Sequence, residues 1–204
     1  MMIDANILLK EAKSIAYELS NQNHPTLYGV NDGKSIGTYI ENQFKERLKE
    51  KYQVKLSSSS KGIDLPEINV DIKSTLRTRP QSSCPYKSFR QKIYGLGYHI
   101  ILFTYEKIDN HEGKYSQLLI DDAYFIEKSE TADAYLTSAI LQIIETTKDP
   151  EELIELFYSV NLPGDESEYE QLAKEVLINP PKQGRLTISN ALQWRLQYSK
   201  VTQK

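Results

Sequence analysis

The sequence predicts an α/β core followed by a helical last third. Three observations carry that reading. Apolar residues make up 39% of the 204-residue chain and aromatics 10%, which suffices for a core. The apolar pattern is helical at the start, becomes strand-like in the middle and returns to helical towards the end. No internal repeat breaks that order, and the length fits one domain of ordinary size.

The elements follow in turn. Residues 5–20 read as a helix with Asp4 as N-cap. Residues 21–34 are loop, and 35–51 a second helix with Ile36, Tyr39, Ile40, Phe44 and Leu48 on one face. Gly29 to Ser35 is short by one residue for a phosphate-binding loop and lacks a preceding apolar strand. A Gly/Asp turn with a serine N-cap is expected there instead. Ser57 to Ser60 reads as loop. Residues 61–75 suggest strand, short connection, strand; 86–94 a helix; 98–105 a buried strand; 116–126 a further strand. Helical patterns follow near 130–146, 150–160, 166–178 and 188–199.

Several classes are excluded by what the chain lacks. A single cysteine, Cys84, allows neither an internal disulfide nor a cysteine zinc site. The N-terminal segment is amphipathic and charged, unlike a signal peptide. The apolar run HIILFTY is too short to cross a bilayer. A soluble cytoplasmic protein with no membrane partner is expected. His24, His99 and His111 are scattered and form no metal cluster; His99 reads as a satisfied core histidine.

The net charge of −3 hides a strong pattern. Residues 72–105 hold six basic and no acidic residues. Residues 106–170 hold four basic and 17 acidic ones, and residues 171–204 six basic and one acidic. Local sign decides what docks at short range, because salt screens beyond about 10 Å.

The stretch GIDLPEINVDIKST, residues 62–75, carries the chemistry. Side chains alternate along a strand, so Val70 and Ile72 face a core while Asp71 and Lys73 share the other face. If the two halves pair around Glu67 and Ile68, Leu65 faces Val70 and Asp64 faces Asp71. Opposed side chains have Cβ atoms about 4.5–5.5 Å apart, and two carboxylates there repel unless a cation lies between them. A divalent metal meets that need, and hard oxygens suit Mg²⁺. Lys73 on the same face could orient or deprotonate a water, the second role requiring a lowered pKa. Metal, water and lysine together suit phosphodiester hydrolysis. Glu41 lies near ~140° on the wheel of the second helix, at the margin of its buried face, where it could reach over the sheet. An i,i+4 pair with Lys45 is its plainer role. The acid-free run Arg77, Arg79, Lys87, Arg90 and Lys92 begins at this site, where a DNA backbone would pass.

Glu41, then Asp64, then Asp71-Ile72-Lys73 resembles the PD-(D/E)xK nuclease superfamily, and within it type II restriction endonucleases. The likeness spans roughly residues 35–126. Two departures stand out: Pro66 follows the first aspartate instead of preceding it, and the gap to Asp71 is short. The resemblance implies a restriction-endonuclease-like mixed central sheet flanked by helices, with a helical C-terminal extension. Residues 1–127 would form the nuclease core with its N-terminal helices. Residues 128–204 would pack on the same domain and serve dimerisation or DNA recognition. Asp64, Asp71 and the Ile72 carbonyl would hold Mg²⁺, with Mn²⁺ able to substitute. Lys73 would position the attacking water, and Glu41 would support a second metal or orient Lys73. The implied partner is double-stranded DNA, cut by a homodimer.

At the C-terminus, Ser189 reads as an N-cap leading into Leu192, Trp194 and Leu196. With the helix near 166–178 this is either a packing helix pair or a helix-turn-helix-like reader of DNA. A repair or recombination nuclease, and a non-catalytic DNA-binding domain, stand as alternatives to a restriction enzyme.

Overall fold

A computed structural model describes residues 3–57, 63–85, 87–189 and 193–203. The fold is mixed α/β. Its helices are α1 (Ala5–Ser20), α2 (Gly33–Tyr52), α3 (Gln91–Tyr94), α4 (Ala134–Thr146), α5 (Pro150–Ser159), α6 (Glu166–Ile178) and α7 (Ser199–Thr202). Its strands are β1 (Asn23–His24), β2 (Val70–Leu76), β3 (Gln81–Pro85), β4 (His99–Asn110), β5 (Tyr115–Ile126), β6 (Thr187–Ile188) and β7 (Gln193–Gln197). The chain divides into two compact units, Met1–Ser82 with Tyr98–Ile126, and Ser83–Gly97 with Glu127–Lys204.

The first unit is a four-stranded sheet in the order β1-β5-β4-β2, with β2 parallel to β4 and the other pairs antiparallel. Asp4 caps α1 by accepting from the Ile7 amide at 2.8 Å. The α1 residues Leu8, Ala12, Ile15, Ala16 and Leu19 are buried and belong to the same core as β5 residues Leu118, Ile120 and Ala123. Helix α2 is capped by Asp32, whose carboxylate accepts from the Lys34 and Ser35 amides. The cap is therefore an aspartate three residues before the expected serine, because a carboxylate satisfies two orphan amides at once. Ile36, Ile40, Phe44 and Leu48 recur at i+4 and bury one face of α2. Phe44 meets Phe103 of β4 edge to face at 5.3 Å.

The second unit joins α4, α5 and α6 around Phe89, Ile93, Leu136, Ile140, Leu153, Phe157 and Leu172. Each of these helices starts on an aspartate: Asp133, Asp149 and Asp165, the last in a capping box with Glu168. Gly95 has φ +89, and a Cβ there would lie 2.1 Å from the Lys128 carbonyl, so only glycine fits. Asp133 also accepts from the Ile188 amide at 2.8 Å and so ties β6 to the start of α4.

Two expected helices change. Residues 86–94 yield only the short α3. Residues 188–199 hold strand β7, not a helix, and β7 lies between β3 and β6 in a small sheet. Ser189 is no N-cap; its hydroxyl accepts from the Arg195 amide at 2.9 Å. The pattern Gln193, Arg195, Gln197 against Leu196 and Tyr198 is alternation with period two, which the flanking helical stretches obscured. A helix-turn-helix over these residues is thereby ruled out. Leu192 and Ser58 to Ser60 lie outside the described residues.

Candidate active site

The site is built on a sheet edge. β2 ends the order of its sheet and pairs there with β4. An edge strand leaves alternate amides and carbonyls without a ladder partner. Acids meet two of those amides. Ile72 donates to Asp64 Oδ2 at 2.9 Å, and Ser74 donates to Glu41 Oε1 at 2.9 Å. These bonds fix where both carboxylates stand. The amide and carbonyl of one strand residue leave on the same side, so the Ile72 carbonyl faces the open edge that carries Asp64.

The turn before β2 sets the register. Leu65 and Val70 exchange both backbone hydrogen bonds, at 2.9 and 3.2 Å. A 3₁₀ turn over Pro66–Ile68 fills the gap, and Asn69 closes it at φ 56, a left-handed conformation asparagine tolerates. This brings Asp64 opposite Asp71, as the sequence implies. Both are removed from solvent, at 5% and 7% exposure. Burial is the largest influence on Asp71 and pushes its carboxyl above the usual range. Lys73 opposes that shift, and the neighbouring Asp64 adds to it.

Each aspartate has its own lysine. Lys73 Nζ lies 2.7 Å from Asp71, and Lys45 Nζ lies 2.6 Å from Asp64. Burial pulls the Lys73 pKa down, but Asp71, Glu41 and Asp64 outweigh it and the net value is raised. Lys73 is therefore an ammonium at neutral pH. Glu41 is pushed up to about 7, by burial first, with Lys73 opposing.

Lys45 is the residue that sequence reasoning missed. It reads as the i,i+4 partner of Glu41, yet its ammonium pairs with Asp64 while Glu41 holds the Ser74 amide. Its place one turn beyond Glu41, on the same margin of α2, was the available signal. Among the described residues no group of three His, Cys, Asp or Glu side chains is arranged to hold a metal.

The basic run splits by environment. Arg77 is exposed but pairs with Glu106 and with Asp121 at 3.0 Å. Arg90 pairs with Glu175. Lys92 is 5% exposed and donates to the Ile188 carbonyl at 3.0 Å, so it does not line a surface as expected. Arg79 and Lys87 are exposed and carry no ion pair among the described residues. His99 is half-buried and stacks on Phe125 at 5.1 Å.

The family model described as Type II restriction enzyme NspV matches residues 2–204. The chain belongs to the NspV family of type II restriction enzymes. Among curated proteins it is similar to "Type II restriction enzyme NspV" from Nostoc sp., with 48% identity over 180 residues. That match covers 88% of this chain and 82% of the relative. No solved structure matches. As a member of the NspV family the chain is a restriction endonuclease, a hydrolase whose substrate is DNA. The repair-nuclease and non-catalytic readings have no support beside that assignment. No helix among the described residues is long and apolar enough to cross a membrane.

Proposed function

We propose that this enzyme hydrolyses phosphodiester bonds of duplex DNA at the open edge of β2, using Mg²⁺ or Mn²⁺ held by Asp64, Asp71 and the Ile72 carbonyl. The mixed sheet with α1 and α2 is read as a restriction-endonuclease-like core. The observation that carries the reading is the meeting of two buried aspartates with Lys73 on one strand edge.

The donor set fits a hard divalent cation. Asp64 and Asp71 supply neighbouring buried oxygens, with Asp71 raised by burial first and by Asp64 second, and oxygen ligands suit Mg²⁺. When bound, the cation supplies Lewis-acid stabilisation for charge developing on the phosphate. Lys73, already protonated, donates to a water or phosphate oxygen and so orients rather than abstracts. Glu41 anchors the Ser74 amide and holds β2 in place beneath Lys73. Lys45 keeps the Asp64 carboxylate turned to the edge. Arg79 and Lys87, exposed and without an ion pair among the described residues, are the cations of the basic run proposed to meet the DNA backbone. Arg77, Arg90 and Lys92 are engaged within the protein.

A palindromic target would need a symmetric pair of sites, so a homodimer is proposed, working in the cytoplasm. Residues 128–204 are the proposed source of dimer or DNA contacts. The test is digestion of plasmid DNA with Mg²⁺, Ca²⁺ or chelator, beside sedimentation of the protein. Discrete fragments with Mg²⁺ alone and a dimer mass are expected. Full cleavage in chelator would remove the metal from the mechanism.

A further inference from the structure

The exposed face of the β6–β7 ribbon is unusual in its composition. Thr187 pairs with Gln197 and Ile188 with Leu196 across the antiparallel ribbon. Ile188, Leu196 and Tyr198 are buried, while Thr187, Arg195 and Gln197 are exposed. Alternation thus sorts the described side chains of the ribbon into an apolar inner set and an outer set of Thr187, Arg195 and Gln197.

The six arginines of the chain divide sharply. Arg47, Arg77, Arg90 and Arg185 each pair with a carboxylate. Arg79 and Arg195 do not, among the described residues. Residues 171–204 contain one acid, Glu175, and Arg90 already occupies it. Arg195 is exposed and has no carboxylate partner among the described residues, so its planar donor group is presented on the strand face. Residues i and i+2 of a strand lie about 7 Å apart, so Arg195 and Gln197 span roughly two base steps.

We infer that this outer face reads DNA bases in the major groove, with Arg195 donating to a guanine edge and Gln197 bonding an adenine edge. The inference rests on the restriction-enzyme reading and adds the specificity residues. Sheet readers of DNA lay strands in the major groove, and these are the side chains whose geometry matches those two bases bidentately. Charge complementarity favours DNA over a protein partner, since the described outer residues, Thr187, Arg195 and Gln197, are polar or cationic and none is acidic. A contact to the backbone weakens every duplex alike, whereas a contact to a base edge weakens only the duplex that carries that base.

The test uses the full-length enzyme and four proteins: wild type, Arg195→Ala, Arg195→Lys and Gln197→Ala. Wild-type digestion with Mg²⁺ first yields the cut sequence. Affinity is then measured with Ca²⁺ for that duplex and for a scrambled one, with thermal melting to check folding. Arg195→Ala should weaken the cut-site duplex about 5- to 150-fold and the scrambled duplex less than about twofold. Gln197→Ala should do likewise at a different base pair, and both should cut relaxed sites. Arg195→Lys should lose less than Arg195→Ala on the cut-site duplex yet stay short of wild type, since a point charge replaces the planar fork. Equal loss on both duplexes overturns the inference in favour of a backbone contact. Wild-type activity in all three variants overturns it outright. A wild type that makes no discrete cuts fails at the earlier step and takes the endonuclease reading with it.

Discussion

Lys73 and Lys92 come from one acid-free run of sequence, and both are withdrawn from water, yet they do opposite things. Lys73 stands among Asp71, Glu41 and Asp64, which together raise its pKa above the ordinary value despite burial. Lys92 is buried against the Ile188 carbonyl, and burial lowers its pKa, with Asp133 only partly opposing. The first lysine belongs to an electrostatic cluster at an open strand edge. The second fastens α3 to β6 within the second unit. What separates them is the number of carboxylates nearby, which no count of basic residues along the chain reports.

The largest expected effect breaks that contrast most cleanly. Lys73→Ala should reduce cleavage at least about 100-fold while leaving DNA binding within a few-fold, and it should also lower melting, because Asp71 loses its counter-ion. Lys92→Ala should lower melting alone. It leaves the buried Ile188 carbonyl short of a donor and costs about 1–3 kcal/mol of stability, with the rate per folded molecule intact. Melting curves beside single-turnover rates distinguish the two; a Lys92→Ala enzyme that folds fully but cuts poorly would erase the comparison.

Lys45→Ala tests the other counter-ion. Breaking a buried pair by removing one partner costs about 3–5 kcal/mol. The metal-free protein should melt lower than wild type, and Mg²⁺ should restore part of the loss, because a cation at the aspartates replaces the missing charge. No recovery with Mg²⁺ would place the metal away from Asp64.

A smaller effect concerns the surface cations. Arg79→Ala and Lys87→Ala should each lessen the slope of log affinity against log salt by about one. Arg77→Ala should change it little, because Glu106 and Asp121 already hold that guanidinium. Equal slopes for all three would mean that internal pairing does not govern availability.

The smallest effect is a pH dependence. The Glu41 carboxyl is raised to about 7 when folded, so its favourable state is the protonated one. That contribution is present below the ordinary carboxylate range and fades as pH rises through about 7. Glu41→Gln, which mimics the protonated form, should melt above wild type at pH 8 without metal and match it at pH 5.

The acids and Lys73 were legible because strand alternation and one tight turn suffice to bring them together. Leu65 facing Val70 and Glu41 at the margin of α2 follow from local periodicity alone. Lys45 was not legible, since its choice between Glu41 and Asp64 depends on how α2 lies on β2, a tertiary matter. The engagement of Arg90 and Lys92 likewise depends on partners far along the chain, Glu175 and Ile188. The 188–199 segment misread as helix is too short for periodicity to decide, and its strand is set by pairing with β3 and β6.

The most direct measurement pairs calorimetry with cleavage, for wild type and Asp71→Asn. Wild type should bind Mn²⁺ in the absence of DNA, cut discrete sites with Mg²⁺ and cut nothing in chelator. Asp71→Asn should lose both the binding heat and the cleavage while keeping its fold. An Asp71→Asn enzyme that binds Mn²⁺ as before and cuts at the wild-type rate would contradict a metal centre at the edge of β2.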